Sequence, residues 1–112
     1  MDESSGTEQT VAQPWTLREA QAAVDETIRA LGGYWPPLAN LARLFEECGE
    51  LARAVNQTRG PKMLKSGEAQ AAAEEELGDV LYVLLVLANS LGVDAEQALA
   101  VVLTKVRSRA GA

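Results

Sequence analysis

Histidine is absent from the 112-residue chain. That removes imidazole metal sites, Ser-His and Cys-His nucleophile systems, and histidine general bases. Any chemistry must run on carboxylates, Lys, Arg, Tyr or a metal-bound water. Cys48 is the single cysteine, so no internal disulfide can form. Long hydrophobic runs are also missing: the longest unbroken one, Val80 to Ala88, has nine residues, whereas a bilayer-spanning helix needs roughly 20. Nothing near Met1 reads as a basic segment followed by an apolar one, so the expected compartment is the cytoplasm, with no membrane contact. Basic charge is scarce, with 10 Lys and Arg against 16 Asp and Glu and a net charge of −6. A general nucleic-acid binder needs a basic stripe to displace counterions from phosphates, so no nucleic-acid partner is expected.

What is present is helical punctuation. Residues 1–13 are polar, without apolar periodicity, and are expected to form a disordered tail; a single domain is expected over 14–112. Thr16-Leu17-Arg18-Glu19 is a capping box opening a first helix that should end near Gly32-Gly33. Its apolar stripe is Leu17, Ala20, Val24, Ile28 and Leu31, at spacings of three and four.

Pro36-Pro37 opens a second helix, where the missing N–H is harmless, and this helix is expected to run to about Asn56. Its apolar side reads Leu38, Leu41, Leu44/Phe45, Cys48, Leu51/Ala52 and Val55. Trp35, just ahead of it, suits packing at the helix start better than stacking on a base. A basic loop from Gln57 to Gly67, broken by Gly60-Pro61 and Ser66-Gly67, leads to a third helix from about Glu68 to Leu91. Asp94 with Gln97 caps a fourth helix reaching about Arg109, with Ala98, Val101, Val102 and Val106 expected to face inward.

No segment alternates with a strand's period of two. The expected fold is therefore an all-α, four-helix subunit. Val80 to Ala88 is apolar all round, more than three short helices of one subunit should cover, so a homo-oligomer is expected.

Carboxylates carry the chemistry. Glu46, Glu47 and Glu50 lie within about 100° of the second helix's circumference. Glu76 and Asp79, three residues apart, share a face of the third. An antiparallel pair of helices brings the two faces together. Five uncompensated carboxylates repel, and a divalent cation is the natural relief. Oxygen-only ligands favour a hard ion, so Mg²⁺ or Mn²⁺ is expected over Zn²⁺. Gly49 and Gly78, inside the two acidic motifs, are unfavourable in helices and suggest close approach by a neighbour or a ligand. The competing view is an ordinary solvated Glu-rich surface, as Glu74-Glu75-Glu76 could be in a first turn. Against it, the acidic residues are embedded among apolar ones, and no basic residue lies within four positions of Glu76 or Asp79.

Glu46-Glu47-x-x-Glu50, followed by Glu76-x-x-Asp79, resembles the EExxE…ExxD signature of the MazG-like, all-α nucleotide pyrophosphohydrolases, in particular their short YpjD-type branch. The resemblance runs from about Gln21 to Arg109. It implies cleavage of a nucleoside triphosphate between the α- and β-phosphates to give nucleoside monophosphate and pyrophosphate, often to remove non-standard or surplus nucleotides. By matching position, Glu47, Glu50, Glu76 and Asp79 would ligate Mg²⁺, and Glu46 would hold a further ion or act as general base, so that Glu46 and Glu47 carry the catalytic assignment.

Lys62, Lys65, Lys105 and Arg109 are candidates for phosphate oxygens. Asn89 is a candidate for base or sugar, with a structural hydrogen bond as its alternative. The assembly expected is a homodimer or a dimer-of-dimers tetramer. The rival function is a non-enzymatic dimerisation or adaptor module built on the apolar third helix. A ferritin-like di-iron protein is excluded, because it needs Glu-x-x-His on two helices.

Overall fold

The computed structural model describes residues 15–59 and 66–111. Four helices and, among the described residues, no strand make up the fold: α1 (Leu17–Ala30), α2 (Pro37–Arg59), α3 (Ser66–Leu91) and α4 (Ala95–Arg109). The tail over 1–13 and the loop lysines Lys62 and Lys65 lie outside the described residues.

Local signals set the helix ends. The Thr16 hydroxyl accepts from the Glu19 N–H at 3.1 Å, while the Glu19 carboxylate accepts from the Thr16 N–H at 2.8 Å, a closed capping box. After α1 the chain turns through Gly32 and Gly33, with φ of 115° and 100°, a region closed to most side chains. Asp94 caps α4 by accepting from the N–H groups of Glu96 and Gln97. Both α2 and α3 are longer than the sequence suggests, α2 by three residues at its end and α3 by two at its start. The expected loop shrinks accordingly.

The main packing is α2 against α3, and α1 lies across α3. Grooves shared by Asn40 with Val86, Arg43 with Tyr82, and Ala54 with Ala72 show that α2 and α3 run antiparallel. Val83, 1% exposed, anchors a small core with Ala54, Ala69, Leu85 and Val86. Two buried polar side chains complete it. Asn40 donates to the Trp35 carbonyl at 3.2 Å. Gln21 donates to the Val93 carbonyl at 2.6 Å and accepts from the Ala95 N–H at 2.9 Å. Gln21 thereby ties α1 to the α3–α4 corner, which turns through 104°.

The turn overrides one expectation. Because α4 leaves the axis of α3 so sharply, it packs on α1 near its own start and has little else to cover it. Ala98, Val101, Val102 and Val106 are exposed rather than inward, Val101 at 50%. On α2, Leu38, Phe45, Cys48 and Val55 of the expected apolar side are exposed as well. The "all-apolar" stretch of α3 also divides, with Val83, Leu85 and Val86 inside while Leu81 and Leu84 are 50% and 44% exposed. No single helix among the described residues is long and apolar enough to cross a membrane.

Candidate metal centre

The antiparallel register of α2 and α3 puts Glu47 level with Asp79, and Glu50 level with Glu76. Glu47, Glu76 and Asp79 offer carboxylate oxygens that all lie within 4.8 Å of one another. Glu50 stands next to Glu76, shares a groove with it and adds to the negative charge it feels. Glu46 is exposed and stands outside this trio. The reason is angular: adjacent residues on a helix diverge by about 100°, so Glu46 and Glu47 cannot both point squarely at α3.

Electrostatically the trio is under-compensated. Burial, and then the charges of Asp79, Glu50, Glu47 and Glu75, hold the Glu76 carboxyl above the usual carboxylate range. Among the described residues the one ion pair to the trio is from Arg43, at 3.9 Å from Glu47, one turn earlier on α2. Its guanidinium is divided between that carboxylate and the Trp35 ring, 5.8 Å from the ring centroid. Trp35 itself is largely exposed.

Such a donor set fits a hard divalent cation. Oxygens at about 2.1 Å from an octahedral ion place opposite ligands about 4.2 Å apart, so the 4.8 Å spread needs only small rotamer changes to close on one ion. The set lacks the thiolates and imidazoles that favour Zn²⁺.

The remaining candidates fall elsewhere. Asn89 lies ten residues, or about 15 Å of helix rise, beyond Asp79 along α3. There it donates to the Gln21 carbonyl at 3.1 Å and lies against Tyr34, so it serves the packing of α1 on α3. Lys105 and Arg109 are exposed on α4, which packs on α1 rather than on α2, and this protomer does not bring them to the carboxylates. Nothing among the described residues comes within 4 Å of the place where a Cβ on Gly49 or Gly78 would sit, so no close approach within the protomer explains them.

Sequence reading passed over Arg53. It lines, with Glu50, Ala54, Gln57, Ala72 and Glu76, an open groove of about 220 Å³ beside the carboxylates. Its spacing of three from Glu50 was the available signal.

The chain belongs to the MazG nucleotide pyrophosphohydrolase family: the model of the MazG nucleotide pyrophosphohydrolase domain matches residues 36–111, which take in every carboxylate of the candidate centre. As a member it is a hydrolase of the nucleotide pyrophosphohydrolase class, and the adaptor alternative gives way to an enzyme. Among individual proteins it is similar to the uncharacterized protein YpjD of Bacillus subtilis (strain 168), with 48% identity over 95 residues, covering 84% of this chain and 86% of that protein. Two crystal structures are similar over most of the chain. One, of a Bacillus-conserved MazG protein described as a nucleotide pyrophosphohydrolase, has 43% identity and a TM-score of 0.71, covering 84% of this chain and 92% of the other. The other, YPJD from Bacillus subtilis, has 48% identity and a TM-score of 0.75, covering 83% and 96%.

Proposed function

We propose that the protein is a Mg²⁺-dependent nucleoside triphosphate pyrophosphohydrolase. It cleaves the α–β phosphoanhydride to release nucleoside monophosphate and pyrophosphate, and so clears surplus or non-standard nucleotides. The observation that supports this reading is the convergence of Glu47, Glu76 and Asp79 within 4.8 Å with so little counter-charge. An acidic groove repels a polyphosphate on its own; a divalent ion reverses the sign of the interaction.

In this reading Glu47, Glu76 and Asp79 hold the ion, and Glu50 joins them from beside Glu76. When bound, Mg²⁺ neutralises phosphate charge and makes water a better nucleophile. The carboxylates fix where the phosphates sit, and the half-buried floor of α2 and α3 keeps that arrangement rigid. Glu46, outside the trio, holds a further ion or orients the attacking water as general base.

A homodimer or dimer of dimers accompanies the proposal. Leu77, Leu81 and Leu84 on α3, with Leu99, Val101 and Val106 on α4, are all 40% or more exposed. A patch of this kind on a soluble subunit is normally covered by another surface.

The test is pyrophosphate release from a panel of ribo- and deoxyribonucleoside triphosphates with Mg²⁺, for wild type and Glu50→Gln. Wild type is expected to turn over at least one of them only with metal, and the variant to lose about 100-fold or more in kcat/KM. Absence of metal-dependent release from every nucleotide in the panel overturns the proposal.

A further inference from the structure

We infer that Arg53 binds the pyrophosphate end of the substrate, in the groove that α2 and α3 leave open beside Glu50 and Glu76. The inference rests on the pyrophosphohydrolase reading and adds a direction to it.

The two grooves flanking the carboxylate trio differ in chemistry. Toward the start of α2 lies a cavity of about 170 Å³ of mixed character, with Ile28, Leu31, Val86 and the rings of Trp35 and Tyr82 beside the polar Asn40 and Arg43. Toward the end of α2 lies the groove of about 220 Å³ lined by Glu50, Arg53, Gln57 and Glu76, where Ala54 and Ala72 leave room because their side chains are short. A nucleotide has an apolar, stackable end and a highly charged end. Laid across the trio with its base toward Trp35 and Tyr82, it sets its terminal phosphates toward Arg53; reversed, the phosphates meet Arg43, which is already engaged by Glu47.

Among the described arginines, Arg53, Arg107 and Arg109 form no ion pair, and of these Arg53 is the one that lines a groove with the carboxylates. Arg18, Arg29 and Arg43 each come within 4.0 Å of a carboxylate. Arg53 shares its groove with Glu50 and Glu76, yet forms no ion pair with either, or with any other described carboxylate. Its donors are therefore open to an anion. A guanidinium fork matches two phosphate oxygens at once, a geometry a lysine ammonium cannot reproduce. From Glu47 to Arg53 the helix rises about 9 Å, which sets Arg53 beyond the ion-holding carboxylates rather than among them.

The probe is inorganic pyrophosphate, titrated calorimetrically with Mg²⁺ into wild type, Arg53→Met and Arg53→Lys of the full chain, with Mg²⁺ alone titrated in parallel. Methionine keeps an unbranched apolar stem in the helix and removes the fork. We expect Arg53→Met to raise the Kd of pyrophosphate about tenfold or more, Arg53→Lys to recover part of the loss, and Mg²⁺ alone to bind all three alike. Wild type and Arg53→Met binding pyrophosphate equally tightly overturns the role of Arg53 and leaves the pyrophosphohydrolase reading standing. Wild type that binds no pyrophosphate with Mg²⁺ and releases none from any nucleotide overturns both. Weakened Mg²⁺ binding in Arg53→Met also overturns the inference, since Arg53 would then act through the carboxylates.

Discussion

Two acidic clusters among the described residues are opposites. At the α1–α4 junction, Asp94 pairs with Arg18 at 2.8 Å and Glu96 with the same guanidinium at 3.0 Å. Nearby, Asp25 accepts from Tyr34 and pairs with Arg29 at 3.0 Å. The Asp94 carboxyl, bonded chiefly to Arg18, and the Asp25 carboxyl, bonded chiefly to Tyr34, lie below the usual carboxylate range. At the α2–α3 groove the shift has the other sign, and Glu76 lies above it through burial and like charges. The same residue types are thus satisfied by the protein in one place and left in conflict in the other. A conflict that the fold does not resolve with its own cations is where an outside cation has work to do.

The largest effect should come from that conflict. Removing one charge of the unsatisfied cluster is expected to stabilise the metal-free protein and to destroy its response to metal. Mg²⁺ at about 100 times its Kd should stabilise wild type by about 2.7 kcal/mol, which for a domain of this size is roughly 10 °C or more in the thermal midpoint. Glu76→Gln should melt higher than wild type in EDTA and show little Mg²⁺ shift. If Glu76→Gln melts lower than wild type in EDTA and keeps the full Mg²⁺ shift, the two clusters are not opposites.

A smaller effect sharpens the other side of the comparison. Asp94→Ala removes both the α4 N-cap and the partner of Arg18. The cap is expected to be worth about 1 kcal/mol, and the midpoint should fall by about 4–8 °C. Arg18 and Asp94 are both substantially exposed, so their ion pair adds little beyond the cap. Mg²⁺-dependent pyrophosphate release, measured well below the midpoint, should stay near the wild-type rate, because this cluster is structural.

Much of this was legible in the sequence, and what was not shares a cause. Thr16 with Glu19, and Asp94 with Gln97, were readable because caps depend on residues three apart in the chain. The meeting of Glu47 with Glu76 and Asp79 was readable because motif spacing and an antiparallel helix pair fix it jointly. Periodicity says which helix face is apolar but not what covers it, so α4 was expected to point Val101, Val102 and Val106 inward, and it does not. Its direction depends on the sharp corner after Leu91 and on the Gln21 clamp, a contact between residues more than 70 apart. Asn89 could be read either as a ligand-binding amide or as a structural one, and its bond to the Gln21 carbonyl, 68 residues away in the chain, is not legible in the sequence. Arg53 went unnoticed because it follows its motif by one turn and becomes notable only through Ala72 and Glu76 on the facing helix.

The smallest effect, and the one that tests both clusters in a single experiment, is the dependence of the metal-free midpoint on pH. A carboxyl raised in the folded state binds its proton more readily folded than unfolded, so folding gains stability as pH falls through that raised value. A carboxyl lowered in the folded state contributes stability above its unfolded value, about 4 for an aspartate, and that contribution is lost as pH falls toward the lowered one. From neutral pH downward in EDTA, the midpoint should first rise slightly as Glu76 takes up its proton. It should then fall as Asp25 and Asp94 lose their bonds to Tyr34, Arg29 and Arg18. Glu76→Gln should flatten the rise and leave the fall; Asp94→Asn should soften the fall and leave the rise. A rise that persists unchanged in Glu76→Gln would place the conflict in other carboxylates than those facing each other across α2 and α3.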